Sequence, residues 1–342
     1  RRHLIVATMH LPKFEHLCPS SIEEAAQLLG SYGDNARLVA GGTDLFPRMK
    51  QGLTRPEVVI SLKGLSIDPP RVSREGDLYI NALMPLADIA RSPEVQKKAP
   101  MLAEAITSVG SNQIRHMGTL GGNICLENRC TYYNQSHSFQ FVEPCFKRAG
   151  DHCYLIPKGK KCVAVFTADT VPALICLAAK MEIVAAGSSR QLPVEKLYTG
   201  NALSPLALSP GEIISEVIIA NPRTVQGTAF TKFSLRGGVE FAGLTVAVCL
   251  EMANGTGTCS AARITVGAVS AGPVRASKAE KAMAGETLSD KLFQKITEMV
   301  AGEIRPVMHH GYSGPFLREC LKVQTYRTLA LGAERAGQYR KK

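Results

Sequence analysis

Two glycine turns, Ala40-Gly41-Gly42-Thr43-Asp44 and Gly118-Thr119-Leu120-Gly121-Gly122-Asn123, limit the architectures open to this chain more than any other stretch. The first leaves an apolar run, Arg37-Leu38-Val39-Ala40, and opens a helical pattern. Glycines at such a junction let backbone N–H groups approach a phosphate, and a helix N-terminus favours negative charge. The second turn, entered through Arg115-His116-Met117, repeats the chemistry, so the two could clasp a pyrophosphate from both sides. A tight strand-to-helix turn without a ligand explains the first turn equally well. Neither turn matches G-x-G-x-x-G or G-x-x-x-x-G-K-[ST], which disfavours a Rossmann or P-loop site.

A length of 342 residues suits two or three domains. With 45% hydrophobic and 20% charged residues, disorder and collagen-like structure are excluded. No apolar run reaches the roughly 18 residues of a membrane span, and the stretch Val171–Ala179 already contains Pro172. The apolar stub in Arg1–Ala7 is too short for a secretory signal, so a cytoplasmic, non-membrane protein is expected.

The net charge of +11 is localised. Residues 126–162 carry net +3, residues 334–342 net +3, and Arg1 and Arg2 add two more. The remaining body is nearly balanced, which argues against a groove for nucleic acid.

A capping box at Ser20-Ser21-Ile22-Glu23-Glu24 predicts a helix ending near Gly30 and Gly33. Strands are expected at Arg37–Ala40, Val58–Leu62, Leu78–Leu83, Val163–Phe166, Met181–Ala185 and Glu212–Ile219. Residues Pro85–Ser108 read as helix interrupted at Pro93 and Pro100, and Ala168–Ala179 fits neither pattern cleanly. After a linker at Asn221-Pro222-Arg223-Thr224 come strands at Ala229–Leu235, Leu244–Met252 and Arg263–Ala268, parted by turns such as Asn254-Gly255-Thr256-Gly257. Helices follow at Ala276–Ala284, Asp290–Ile304 and about Phe316–Ala336. Strands followed by helices indicate an α+β C-terminal domain.

Four of the ten cysteines, Cys130, Cys145, Cys153 and Cys162, fall within 33 residues. In a chain large enough to form a core without disulfides, such a cluster points to metal. The spacing C-x14-C-x7-C-x8-C suits neither a compact zinc knuckle nor a ferredoxin run, although a long loop can wrap four thiolates around a 4Fe-4S cube. Cys18, Cys176, Cys249, Cys259 and Cys320 stand alone and read as packing residues.

The segments Leu38–Leu45 and Gly118–Asn123 resemble the FAD-binding medium subunit of the molybdenum hydroxylase (xanthine dehydrogenase) family. The likeness extends through Leu11-Pro12-Lys13-Phe14, Asp169-Thr170-Val171-Pro172-Ala173-Leu174, Val266-Gly267-Ala268-Val269 and Pro273-Val274-Arg275-Ala276. It implies an α+β protein: a two-lobed FAD-binding domain of the PCMH/vanillyl-alcohol-oxidase type, then an α+β domain of the CO dehydrogenase flavoprotein type closing over the cofactor. The implied division is an extension at 1–8, lobe 1 at 9–62, lobe 2 at 63–222 with an insertion at 126–162, the C-terminal domain at 223–332 and a basic tail at 333–342.

Carried over by position, the resemblance implies that Ala40, Gly41, Gly42, Thr43, Asp44 and Leu45, with Gly118, Thr119, Leu120, Gly121, Gly122 and Asn123, contact the pyrophosphate and ribityl chain. Asp169 would bind the adenosine or ribityl end, Ile213 and Ile214 would touch the flavin ring, and Lys232 would lie near it. The alternatives are a helix N-cap for Asp169 and a solvated strand lysine for Lys232.

Within the family, the insertion resembles that of 4-hydroxybenzoyl-CoA reductase β subunits, through Asn128-Arg129-Cys130, Tyr132-Tyr133-Asn134-Gln135-Ser136 and Cys145, Cys153 and Cys162. That likeness implies a 4Fe-4S cluster on Cys130, Cys145, Cys153 and Cys162, with structural zinc on the same thiolates as the alternative. Cys125 is expected to pack or lie beside the flavin, and His137 and His152 to be solvated. The implied complex is a dimer of heterotrimers in which ferredoxin delivers electrons to 4Fe-4S, then FAD, then the 2Fe-2S centres of a small subunit and a molybdenum-cofactor large subunit. Such a complex would convert 4-hydroxybenzoyl-CoA to benzoyl-CoA in anaerobic aromatic degradation, with no catalytic residue in this chain. The rivals are the FAD subunit of another molybdenum hydroxylase, acting on an aldehyde, purine or aryl-CoA, and a zinc-stabilised basic binding module.

Overall fold

In a computed structural model, residues 10–134, 143–253 and 257–337 are described. The expected extension 1–8, Gln135, Ser136 and His137 of the insertion, Asn254–Thr256 and the tail 338–342 lie outside the described residues.

The chain builds three sheets in sequence order. The first holds β1 (Glu15–Leu17), β2 (Ala36–Val39) and β3 (Val58–Ser61), all parallel, in the order β1-β3-β2. The central strand is apolar without alternation because Val58, Val59 and Ile60 are all buried, as a covered parallel strand requires. Helix α1 (Ile22–Tyr32) starts where Ser21 Oγ accepts from Glu24 N and the Glu24 carboxylate accepts from Ser20 N and Oγ. It ends at Gly33, whose φ of 54° terminates it. Ala25 and Ala26 let it pack closely on β2 and β3. Helix α2 (Leu45–Lys50) follows the first glycine turn.

The second sheet is antiparallel, β4-β5-β8-β6-β7, from β4 (Arg71–Val72), β5 (Leu78–Asn81), β6 (Lys180–Ala185), β7 (Ser188–Pro193) and β8 (Ile213–Ile219). Helices α3 (Leu86–Arg91), α4 (Pro93–Lys98) and α5 (Pro100–Thr107) divide at the two prolines, each of which opens the next helix where its missing N–H costs nothing. Helices α6 (Asn112–Met117) and α7 (Leu120–Ile124) follow. The Ala168–Ala179 stretch contains α8 (Thr170–Cys176), all of whose residues are buried, which is why it shows no amphipathic period. The expected strand Val163–Phe166 joins no sheet: Ala164, Val165 and Phe166 are buried, and Phe166 N donates to Ser270 O at 2.9 Å.

The third sheet is antiparallel, β12-β11-β10-β9, from β9 (Gln226–Phe233), β10 (Leu244–Met252), β11 (Cys259–Gly267) and β12 (Val274–Arg275). Helices α9 (Ser277–Met283) and α11 (Gly314–Arg335) pack on it, and α10 (Asp290–Glu303) packs against both. Strand β10 is apolar throughout because it serves two cores. Val246, Val248 and Leu250 join those helices, whereas Ala247 and Cys249 enter the core around α8. Among the described residues no helix is long and apolar enough to cross a membrane.

Candidate functional site

A cavity of about 1070 Å³ lies where the three sheets' connections meet, at the top of the roughly 300–1,000 Å³ range of small-molecule sites. The first glycine turn forms one wall. Ala40, Gly41, Gly42, Thr43, Asp44 and Leu45 all line it. Gly42 has φ of 70°, and a Cβ on Gly41 would stand 1.8 Å from the backbone oxygen of Met117. Glycine is thus required where the two turns touch. Among the described residues the N–H groups of Gly41, Gly42 and Thr43 have no protein acceptor, so three donors remain at the cavity wall.

The second turn works differently from the loop expected. Thr119 caps α7 by accepting from Gly122 N, Gly121 N donates to Ala82 O, and Leu120 N donates to Met84 O. Its N–H groups are therefore largely committed to the protein, and its glycines provide close approach. Gly118, Thr119, Gly121, Gly122 and Asn123 line the cavity, whereas Leu120 is fully buried in the core beneath it.

Asp169 lines the cavity and is 5% exposed. It stands at the start of α8 but makes no capping bond. Its Oδ2 accepts from Lys232 Nζ at 2.7 Å, and its buried Oδ1 has no protein partner. Burial pushes its carboxyl up to about 6 against the lowering pull of Lys232. Lys232 is not the solvated lysine considered as an alternative. Its side chain is buried, bonds Asp169 and Ser108 O, and does not reach the cavity. Ile213 and Ile214 both line the wall.

Sequence reasoning missed several wall residues. Arg48 bridges Asp44 and Glu127, and Arg129 pairs with Asp44 at 3.0 Å. The spacing of Asp44 and Arg48, four apart at the head of a helix, was the available signal. Arg129 also lies over the Phe241 ring, which stacks on His310, so the C-terminal domain supplies one side of the cavity. Burial, followed by the nearby His309, lowers the His310 imidazole to about 4, leaving it neutral at physiological pH. Nothing in local sequence links positions 129, 241 and 310. Cys125 lines the cavity as a thiol pushed up to about 12 by burial.

The four clustered cysteines line a second, small cavity with Tyr132, Tyr133, Phe146, Lys147 and Tyr154. The loop turns back on itself through Phe146 N donating to His152 O and Gly150 N donating to Cys145 O. Burial raises the Cys130 and Cys162 thiols against the lowering pull of backbone N–H groups and, at Cys162, of Lys147, with a smaller rise from neighbouring cysteines. His152 pairs with Asp151 and edges this cavity. Among the described residues no three His, Cys, Asp or Glu side chains are gathered to hold a metal ion. The thiols share a cavity without meeting at one point.

Comparison with known proteins places these features. The FAD binding domain in molybdopterin dehydrogenase matches residues 12–222, and the CO dehydrogenase flavoprotein C-terminal domain matches residues 229–330. The 6-hydroxypseudooxynicotine dehydrogenase complex subunit alpha of Paenarthrobacter nicotinovorans is 25% identical over 96% of this chain and 97% of its own length. The carbon monoxide dehydrogenase medium chain of Afipia carboxidovorans is 28% identical over 86% and 87%. Carbon monoxide dehydrogenase from Hydrogenophaga pseudoflava has the same fold, with a TM-score of 0.78 at 23% identity over 95% of this chain and 99% of that one. With one matched domain supplying the glycine turns and the other the Phe241–His310 side of the cavity, the chain belongs to the FAD-binding medium subunits of the molybdopterin hydroxylase/CO dehydrogenase family.

Proposed function

We propose that this subunit carries a 4Fe-4S cluster beside its FAD and serves a complex resembling 4-hydroxybenzoyl-CoA reductase. The observation that carries the reading is the convergence of Cys130, Cys145, Cys153 and Cys162 on one cavity, in an insertion that also borders the flavin site. A single zinc ion needs four sulfurs about 2.3 Å from one point. In a cube each thiolate takes a different iron, so four cysteines lining one cavity need not meet at a single point.

The first glycine turn would hold the pyrophosphate through the N–H groups of Gly41, Gly42 and Thr43, with Gly118–Asn123 closing from the other side. Asp169 Oδ1 would accept a hydroxyl of the bound cofactor, and Ile213 and Ile214 would provide apolar contact for its ring. FAD and an iron-sulfur centre together supply two-electron and one-electron chemistry. The chain's own work is to bind, orient and shield them. Exposed Lys158, Lys160 and Lys161 on the cysteine loop suit an acidic one-electron donor such as a ferredoxin. Partners would be a 2Fe-2S small subunit and a molybdenum large subunit, assembled as a dimer of heterotrimers, with dehydroxylation of 4-hydroxybenzoyl-CoA on the large subunit.

A second reading, an FAD subunit serving oxidation of another substrate, draws on relatives named for aldehyde, nicotinate and carbon monoxide oxidation. It leaves the four-cysteine cavity without a role. Replacing Cys145 by Ser separates the two. Iron is expected to fall from about four per chain to three or fewer, with FAD retained, when both are measured on anaerobically purified protein. Full retention of iron would remove Cys145 from the ligand set.

A further inference from the structure

Between the flavin cavity and the cysteine cavity runs a chain of charged side chains: Asp44, Arg48, Glu127 and Lys147. Glu127 is its middle. One carboxylate oxygen lies 3.4 Å from Arg48 Nη2 and the other 2.5 Å from Lys147 Nζ. Arg48 continues to Asp44 of the first glycine turn at 3.6 Å. Lys147 lines the cysteine cavity and lies 5.3 Å from the centre of the Tyr133 ring. The Tyr133 backbone N–H reaches Cys130 Sγ at 3.4 Å.

These four side chains are between 6% and 25% exposed. Pairs so shielded are screened less by salt than surface pairs, and their geometry is fixed by packing. With Arg129 also on Asp44, three cations face two carboxylates, leaving one positive charge in surplus. It stands between a site for a pyrophosphate and a site for four thiolates.

We propose that Glu127 is a positioning residue that couples the two sites. An occupant ordering the first glycine turn holds Asp44 and Arg48, which hold Glu127, which together with the Ala202 carbonyl, 2.7 Å from Lys147 Nζ, fixes Lys147 against the cysteine cavity. By linkage, filling either site then strengthens retention in the other. The coupling rests on the cysteine cavity holding the iron-sulfur group proposed above.

The test uses the full chain purified anaerobically, with FAD bound and after FAD removal, challenged with a ferrous-iron chelator. In the wild type, FAD removal is expected to lower the chelator concentration that strips half the iron by at least about fivefold. In Glu127→Gln, which keeps shape but loses the charge, the two curves are expected to coincide within about twofold. Lys147→Met cuts the same link from the other side and is expected to act alike, whereas Lys147→Arg restores the coupling. Iron that is equally retained with and without FAD in the wild type overturns the coupling alone, as does undiminished coupling in both Glu127→Gln and Lys147→Met. A wild type that binds FAD but no iron overturns the cysteine-site reading, and the coupling with it.

Discussion

Gly41→Ala is expected to strip the protein of most of its FAD. The added Cβ would stand 1.8 Å from the Met117 carbonyl oxygen, 2.6 Å from its carbon and 3.0 Å from Gly118 Cα. All three are backbone atoms, so no side-chain rotation relieves the clash, and the two glycine turns must separate. Overpacking of this kind costs about 1–3 kcal/mol and sometimes more. Separation also spoils the wall that presents the N–H groups of Gly41, Gly42 and Thr43. A loss of about ten- to a hundredfold in FAD affinity follows, at roughly 1.4 kcal/mol per decade. Flavin content and a fluorescence titration check it. Gly64→Ala is the control, because a Cβ there meets nothing within 4 Å. Unchanged affinity in Gly41→Ala would show that contact between the turns does not shape the site.

Lys232→Met is expected to give the largest loss of stability. Asp169 would be left buried with neither oxygen paired within the protein, since Oδ1 already has no partner. Removing one member of a buried pair costs about 3–5 kcal/mol. The pH dependence identifies the cause. In the native protein the Asp169 carboxyl is raised to about 6, against about 3.9 unfolded. Between those values the folded state holds a proton that the unfolded state has lost. Its contribution is therefore favourable at low pH, falls as pH rises through about 6, and is flat above. Without Lys232 the carboxyl rises further, so the penalty of the variant in urea unfolding grows as pH rises above about 6. A penalty independent of pH would assign the loss to packing. The double change Asp169→Asn with Lys232→Met is expected to recover most of the stability.

Local physics made much of the fold readable. Ser21 with Glu24 placed α1, and Pro93 with Pro100 divided one helical stretch into three, because caps and missing donors act within a few residues. Burial on all sides hid α8, whose seven residues lie in the core and so carry no period. The same lack of alternation made Val163–Phe166 look like a strand, although its residues are buried beside Ser270 without joining a sheet. The second glycine turn was recognisable as a close approach, but spacing could not reveal that Thr119 would use Gly122 N as a cap.

The glycine turns that line the large cavity and the cysteines that line the small one could be picked out in the sequence, whereas the cross-links around them could not. Arg129 meets Asp44 and Phe241, and Lys147 meets Glu127, through contacts set by the packing of three sheets. Lys232 was expected near the flavin ring, and spacing could not reveal that its ammonium pairs with Asp169 of the cavity wall. Similarly, the spacing of Cys130, Cys145, Cys153 and Cys162 matched no compact metal motif. Their meeting at one cavity depends on the loop folding back through Cys145 and His152.

The most direct test is a metal and flavin count on the wild-type protein purified without oxygen, joined to electron paramagnetic resonance of the reduced protein. About four iron, four acid-labile sulfide and one FAD per chain, with the signal of a reduced 4Fe-4S centre, is the expected result. One FAD with neither iron nor sulfide, or zinc in place of iron, would contradict it.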